Sequence, residues 1–255
     1  MKVEAAGLTD VGLKRGHNED TFFLADRHRL FMVADGMGGH SAGEVASKMA
    51  VDAISAFFDE TAEDGELTWP FKMQRTLSYE ANRLAVGVKL ANLRIHENAQ
   101  ANATQRGMGT TVVSAHFSDR GLVIAHVGDS RVYRLRGEEF ELLTEDHSLL
   151  NDYIKMKDLT PEEIENFPHK NVIVRALGMK ENVQVDVFTH DPEPGDLYLL
   201  CSDGLSGMID DDGLASIVRD KGSDLEACCQ TLVDVANENG GTDNITVVLT
   251  RVVDV

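Results

Sequence analysis

The sequence predicts an α+β fold, and three observations carry that expectation. Seven short runs rich in Val, Ile, Leu, Phe or Tyr are each bounded by Gly, Asp or Asn, as strands closed by turns would be. Two longer segments instead repeat their apolar residues at helical spacing. Strands and helices come in blocks and not in the regular alternation of parallel βαβ units.

In chain order, residues 22–25 and 30–34 read as strands. A helix over residues 44–60 follows, with Val45, Met49, Ala53 and Phe57 recurring on one face. A second helix, residues 74–98, carries Leu77, Leu84, Val88, Leu93 and Ile95. Residues 110–117, 122–127 and 131–136 are strands, and so are 197–201. A short helix at 214–218 precedes a longer one at 225–237, which follows Ser223 as cap and stops at Asn239-Gly240-Gly241. Residues 245–253 form the last strand. Residues 146–176 differ, with mixed charge, Pro161, Pro168 and weak periodicity. They read as an excursion from the sheet with short helices such as 161–166, and long irregular insertions are usually functional or mobile. No Gly/Ser linker or internal repeat divides the chain, so residues 1–255 read as one domain.

The charge balance excludes several functions. There are 24 Lys and Arg against 43 Asp and Glu, a formal net charge of −19. Such a chain is repelled by nucleic-acid backbones and by anionic membranes. Disorder does not follow, because 42% of residues are hydrophobic and only 26% charged. The start, Met1-Lys2-Val3-Glu4, has no apolar run of a secretory signal, and no stretch approaches the ~18 apolar residues of a spanning helix. Cys201, Cys228 and Cys229 cannot all pair internally. A reduced, cytoplasmic setting is expected, with the cysteines as small buried hydrophobes.

One context recurs where strands meet loops. Val33-Ala34 leads to Asp35-Gly36, Val127-Gly128 to Asp129-Ser130, and Cys201-Ser202 to Asp203-Gly204. Asp243-Asn244 enters the last strand, and Asn18-Glu19-Asp20 precedes Phe22. Each Asp-Gly alone reads as a turn. Repeated five times, the pattern suggests carboxylates gathered together, and ionised carboxylates repel unless protons or cations compensate. Oxygen donors without a Cys-His pattern argue for Mg²⁺ or Mn²⁺. Glycines such as Gly36, Gly38 and Gly39 let backbone approach an ion. Arg15, near Asp20 in sequence, reads either as a salt-bridge partner or as a bidentate phosphate ligand.

Other chemistries fail on spacing. Asp210-Asp211-Asp212-Gly213 resembles a calcium loop, but its register would put Met208 first and Arg219 twelfth. Gly36-Met37-Gly38-Gly39-His40-Ser41 departs from a dinucleotide fingerprint at Ser41. There is no P-loop and no Gly-x-Ser-x-Gly. Cys201 lacks the Arg six residues on that a thiol phosphatase would place there, since that position is Gly207.

Together these residues resemble the metal-dependent Ser/Thr protein phosphatases of the type 2C family, in its bacterial form. Arg15-Gly16-His17-Asn18-Glu19-Asp20 and Val33-Ala34-Asp35-Gly36-Met37-Gly38-Gly39-His40 look like its first two motifs. Gly107-Met108-Gly109-Thr110-Thr111, Val127-Gly128-Asp129-Ser130-Arg131 and Thr144-Glu145-Asp146-His147-Ser148 resemble the next three. Cys201-Ser202-Asp203-Gly204-Leu205 and Asp243-Asn244-Ile245-Thr246 match the last two. The motifs stand in the family's order over nearly the whole chain.

The resemblance implies a four-layer αββα sandwich of two central antiparallel sheets flanked by helices, with a two-metal site of Mn²⁺ or Mg²⁺. Asp35 would bridge both ions and the Gly36 carbonyl would complete one site. Asp203 and Asp243 would hold the other. Asp20 would act through water, with Glu19 beside it. Asp129 with Asp203 would hold a third, weaker ion, and Arg15 the substrate phosphate. A hydroxide between the two cations would attack the phosphorus of phosphoserine or phosphothreonine. His40 is a candidate to protonate the leaving oxygen, or equally a solvated cap residue. A metal-bound water is the other donor candidate, and Met37 replaces the His that some members carry. The excursion at 146–176 would be the family's flap. Phosphoproteins, a cognate Ser/Thr kinase among them, are the implied partners, with the enzyme itself a monomer. The alternative is a non-catalytic regulatory relative that binds partners through the same fold.

Overall fold

The computed structural model describes residues 1–38, 42–63, 68–157, 159–165, 167 and 172–255. One sheet is built from β1 (Lys2–Asp10), β7 (Arg131–Arg136), β8 (Glu139–Leu142), β10 (Leu197–Cys201) and β11 (Ile245–Asp254), in the order β1-β11-β10-β7-β8. The second holds β2 (Asp20–Ala25), β3 (Leu30–Met37), β5 (Val112–Ser118), β6 (Gly121–Val127) and β9 (Asp186–His190) in that order, with β4 (Gly109–Thr110) paired to the end of β3. All pairings are antiparallel.

Alternation along the strands stacks these sheets between helices. Leu30, Met32 and Ala34 of β3 face α1 (Ala42–Glu63) and α2 (Tyr79–Ala101), against Ile54, Phe57, Leu84 and Ile95. Phe31 and Val33 face the other way. They meet Phe117, Ile124, Tyr198, Leu200 and Val248 in the layer between the sheets. Leu199, Cys201, Val247 and Leu249 point outward from the first sheet onto α6 (Asp211–Lys221) and α7 (Leu225–Glu238). The expected four layers are therefore present, with an apolar core between each adjacent pair. All three cysteines are buried and free. Among the described residues, no helix is long and apolar enough to cross a membrane.

Several boundaries differ from expectation for local reasons. β1, β8 and β9 lacked a strong apolar run. β1 is exposed or partly buried at every position but Ala6 and takes its place by pairing with β11. The expected strand at 110–117 is two strands, β4 and β5. β3 runs on through Asp35 to Met37 and does not stop before it. α2 starts later than expected: Ser78 Oγ accepts from Ala81 N–H at 3.2 Å, while Asn82 holds the backbone of Gln74 outside the helix. The cap of α7 is Asp224 and not Ser223, accepting from Ala227 N–H at 3.1 Å. Asp210 caps α6 from Gly213 N–H, so the calcium-like run is a helix start.

The excursion contains α3 (Leu149–Met156) and α4 (Pro161–Glu165). Its base is sewn shut by Leu149 N–H to Val172 O at 2.8 Å and Val174 N–H to His147 O at 2.9 Å.

Phe117 is fully buried between the sheets, edge-on to Phe31 at 5.9 Å and Tyr198 at 5.6 Å. Phe117→Ala is expected to cost about 3–5 kcal/mol through the cavity it leaves. Urea unfolding checks this as a lower midpoint at unchanged slope.

Candidate metal centre

The alternation that fills the intersheet layer ends in carboxylates. On β3 the inward series Phe31, Val33 continues to Asp35, and on β2 its register partner is Asp20. Residues directly opposite on an antiparallel pair share a face, so these two carboxylates lie side by side. The other sheet supplies Thr246 of β11, whose hydroxyl donates to Asp20 Oδ2 at 2.7 Å. Asp203 follows β10 as the first residue of the short α5 (Asp203–Ser206). Asp129 lies two residues after β6, and Asp243 two residues before β11. Five aspartates, scattered over the sequence, thus converge at one end of the intersheet core.

Backbone contacts fix this convergence. Glu19 N–H donates to Asn244 Oδ1 at 2.9 Å, and Asn244 Nδ2 donates to the carbonyls of Val11 and His17. One amide therefore joins the first motif to the last. Glu19 O accepts from Gly36 N–H at 3.1 Å and from Ser47 Oγ at 2.6 Å. The crossing is so close that a Cβ on Gly36 would lie 2.2 Å from Gly43 O and 2.4 Å from Glu19 O. Thr111 Oγ1 accepts from Asp35 N–H at 3.0 Å and meets Ser130 Oγ at 2.7 Å, tying the Asp35 and Asp129 segments together.

The electrostatics are those of crowded anions. Burial first, then the charges of Asp20, Asp203, Asp129 and Asp243, push Asp35 well above the usual carboxylate range. Burial raises Asp20 to about 7 against the bonds from Thr246 and Ser202. Burial and the Asp203 charge raise Asp129 to about 7. Asp203 is raised by burial and by Asp243. Asp20 Oδ1, Asp129 Oδ1 and Asp203 Oδ1 are buried without any hydrogen-bond partner. Buried carboxylate oxygens in this condition fit cation ligands. The donors are all hard oxygens, which suits Mg²⁺ or Mn²⁺.

The pocket at this end has a volume of about 400 Å³ and is lined by Asp129, Arg131, Asp146, Asp203 and Asp243 among others. Arg131 is held by Asp146 through two bonds, Nε–Oδ1 at 3.0 Å and Nη2–Oδ2 at 2.8 Å. Arg15 forms the ion pair that one of its two readings anticipated, Nη2 to Asp243 Oδ2 at 2.6 Å, with its side chain about half exposed (52%). His40 lies outside the described residues. Sequence reasoning missed Asn244 as the clamp, Thr246 as the donor to Asp20, and Gly43 as the partner of Gly36. Only the two glycines bracketing a helix start carried a signal.

Comparison with known proteins agrees with this geometry. The family model described as Protein phosphatase 2C matches residues 14–248. The chain is 40% identical to protein phosphatase PhpP of Streptococcus pneumoniae over 252 residues, covering 97% of this chain and 96% of that one. Its fold superposes on the serine/threonine phosphatase PstP/Ppp of Mycobacterium tuberculosis with a TM-score of 0.87, at 31% identity and full coverage of both chains. A structure of the PstP catalytic domain in complex with two manganese ions matches at TM-score 0.80 and 31% identity, covering 99% of each chain. The chain belongs to the protein phosphatase 2C family. It is a metal-dependent protein serine/threonine phosphatase, and the non-catalytic alternative is not favoured.

The raised carboxylates set a pH dependence. Their folded pKa values lie above the unfolded ones, so between roughly pH 4 and 7 the native state binds more protons and stability falls as pH rises. Metal-free protein is therefore expected to melt at lower temperature at pH 8 than at pH 5.5. Added Mn²⁺ should raise the melting temperature more at pH 8, with proton release visible by calorimetry in buffers of different ionisation enthalpy.

Proposed function

We propose that the five aspartates hold the divalent cations on which this phosphatase depends. The orphaned, buried oxygens of Asp20, Asp129 and Asp203 around Asp35 carry the reading. Asp35, central to the charge cluster, would be shared by two ions, with the Gly36 carbonyl helping to hold one and Asp203 and Asp243 the other. Asp20 acts through water, held by Thr246, and Glu19 lies beside it. Asp129 and Asp203 take a third, weaker ion. The cations are Mn²⁺ or Mg²⁺, and the two manganese ions of the PstP complex support that choice. Bound there, they would lower the pKa of a coordinated water and neutralise charge on the phosphoryl oxygens.

The chain's own residues supply the rest. Arg15 presents a five-donor guanidinium at the pocket edge, and its contact with Asp243 engages Nη2. It is assigned to orient the substrate phosphate while Asp243 restrains its swing. His40 or solvent returns the proton to the leaving seryl or threonyl oxygen. Residues 1–255 act as one domain, with residues 146–176 as its flap beside the pocket. The physiological setting is the cytoplasm, with the enzyme a monomer opposing a Ser/Thr kinase.

A Mn²⁺ titration of phosphate release from a phosphothreonine peptide tests this. Asp35→Asn is expected to lower kcat more than the roughly 10–100-fold typical of residues behind a metal's direct ligands. Near-normal turnover would refute the bridging role. Asp129→Ala should show milder damage, concentrated at limiting Mn²⁺. Arg15→Ala removes a charge-assisted contact worth about 1.5–3 kcal/mol, so kcat/KM should drop about 10- to 100-fold. That loss should appear mainly in KM.

A further inference from the structure

Behind the carboxylate pocket, at the base of the excursion, two imidazoles stack. His126 of β6 and His147 have ring centroids 4.6 Å apart and planes inclined by 18°. Both are buried, with 2% and 4% of their surface exposed. With Asp186 of β9, their ligand atoms lie within 4.8 Å of one another, a spacing that would suit a metal ion.

The hydrogen bonds point elsewhere. His126 Nε2 lies 3.0 Å from the carbonyl of Glu145, which only accepts, so Nε2 carries the proton. His147 Nδ1 lies 3.0 Å from Gly128 N–H, which only donates, so Nδ1 is bare. The proton of His147 is then on Nε2, 3.1 Å from Asp186 Oδ2. That nitrogen cannot serve a cation while Nδ1 keeps Gly128, because a neutral imidazole has one bare nitrogen. The cation's place is already filled. Arg175 Nη1 donates to Asp186 Oδ1 at 2.8 Å; its 2.9 Å approach to His147 Nε2 sets donor against donor in this tautomer, so Asp186 is the partner of both.

The arrangement grips a turn. Gly128 donates its N–H to the His147 ring and accepts from His147 N–H at its own carbonyl, at 2.9 Å. Both polar backbone groups of the residue before Asp129 thus end on one histidine. The turn has little freedom, since Gly128 has φ +113° and a Cβ there would lie 2.6 Å from Thr111. On the far side, Ser130 is pinned by Thr111 Oγ1 at 2.7 Å. Asp129 therefore projects from a turn clamped on both flanks. Burial, and the neighbouring His126, hold His147 down to about 4, which keeps the ring neutral and Nδ1 able to accept at physiological pH.

We propose that His147 is a positioning residue for Asp129. Asp186, itself held by Arg175, fixes its tautomer, so the C-terminal end of the excursion is linked through one imidazole to the weaker cation position. This rests on the reading of Asp129 as a ligand of that position. Contacts run Arg175–Asp186–His147–Gly128, next to Asp129; the links before His147 act by keeping Nδ1 of the imidazole bare, a condition that an amide oxygen at that place meets without them.

Calorimetric Mn²⁺ binding to the full chain tests it, with His147→Asn compared against His147→Gln. Asn keeps an oxygen acceptor near the Nδ1 position, whereas Gln keeps a donor toward Asp186 and loses the acceptor toward Gly128. His147→Gln is expected to weaken the weakest Mn²⁺ site about 10-fold or more, as outer-shell partners of metal ligands do, with the tighter sites unchanged. His147→Asn should stay within about 3-fold of wild type, since its acceptor still satisfies Gly128 N–H. Unchanged binding in His147→Gln would overturn the proposal. So would equal losses in the two variants that track a common drop in melting temperature. Should His147→Gln not fold, Arg175→Met decides: a several-fold weaker third ion supports the linkage and unaltered affinity sinks it. Asp129→Ala run in parallel separates the two readings. If it loses the weak ion and His147→Gln does not, only the positioning role fails. If it binds Mn²⁺ as wild type does, the assignment of Asp129 fails and the positioning role with it.

Discussion

The structure is organised around carboxylates that repel one another. Asp20, Asp35, Asp129 and Asp203 are each driven toward the protonated form, and burial is the first cause in every case. Left ionised, they would push the open end of the intersheet layer apart. On the proposed assignment, divalent cations would turn the same oxygens into a cross-link between the sheets, because the carboxylates come from β2 and β3 on one side and from the ends of β10 and β11 on the other. The acidic surface as a whole rejects polyanions. On the proposed assignment, the centre is where a phosphate would become acceptable, through metal charge and Arg15.

The rest of the fold gives those carboxylates little room to escape. Three apolar layers hold the strands in register, and the inward-facing series of β3 hands over from Phe31 and Val33 to Asp35 without a change of direction. Loop backbones are then fastened individually: Asn244 holds the Glu19 loop, Thr111 holds Asp35 and Ser130, and His147 holds Gly128. Each clamp lies one or two bonds behind a carboxylate. A cation site of this kind needs oxygens placed to within a fraction of an ångström, and side chains on free loops would not supply that.

Much of this was legible in the sequence. The strand cores that became β6, β10 and most of β11 are largely apolar runs buried on both faces, and β7 alternates buried Val132, Tyr133 and Leu135 with partly exposed arginines, so composition marked them. The carboxylates stood out because each lies where an apolar run starts or ends, three of them (Asp35, Asp129 and Asp203) beside a Gly. The edge elements were hidden. β1 and β8 are half-exposed, charged strands that form because a neighbour offers unpaired backbone, which is a tertiary cause with no local signal. Asn244, Gly43 and the His147–Gly128 contact were hidden for the same reason, since their partners are remote in sequence. Helix caps failed by a residue where Ser and Asp compete side by side, as at Ser223 and Asp224.

The pairing of β1 with β11 has a consequence in time. Lys2–Asp10 finds its partner only in Ile245–Asp254, and Glu19 is oriented by Asn244. During synthesis the first strand must wait, unpaired, for nearly the entire chain to follow it. The carboxylates from residues 20, 35 and 129 can gather earlier, but Asp243 and the Asn244 clamp arrive last. The strand that closes the first sheet is thus also the one that brings Asn244 to Glu19, so sheet closure and completion of the carboxylate cluster are one structural event.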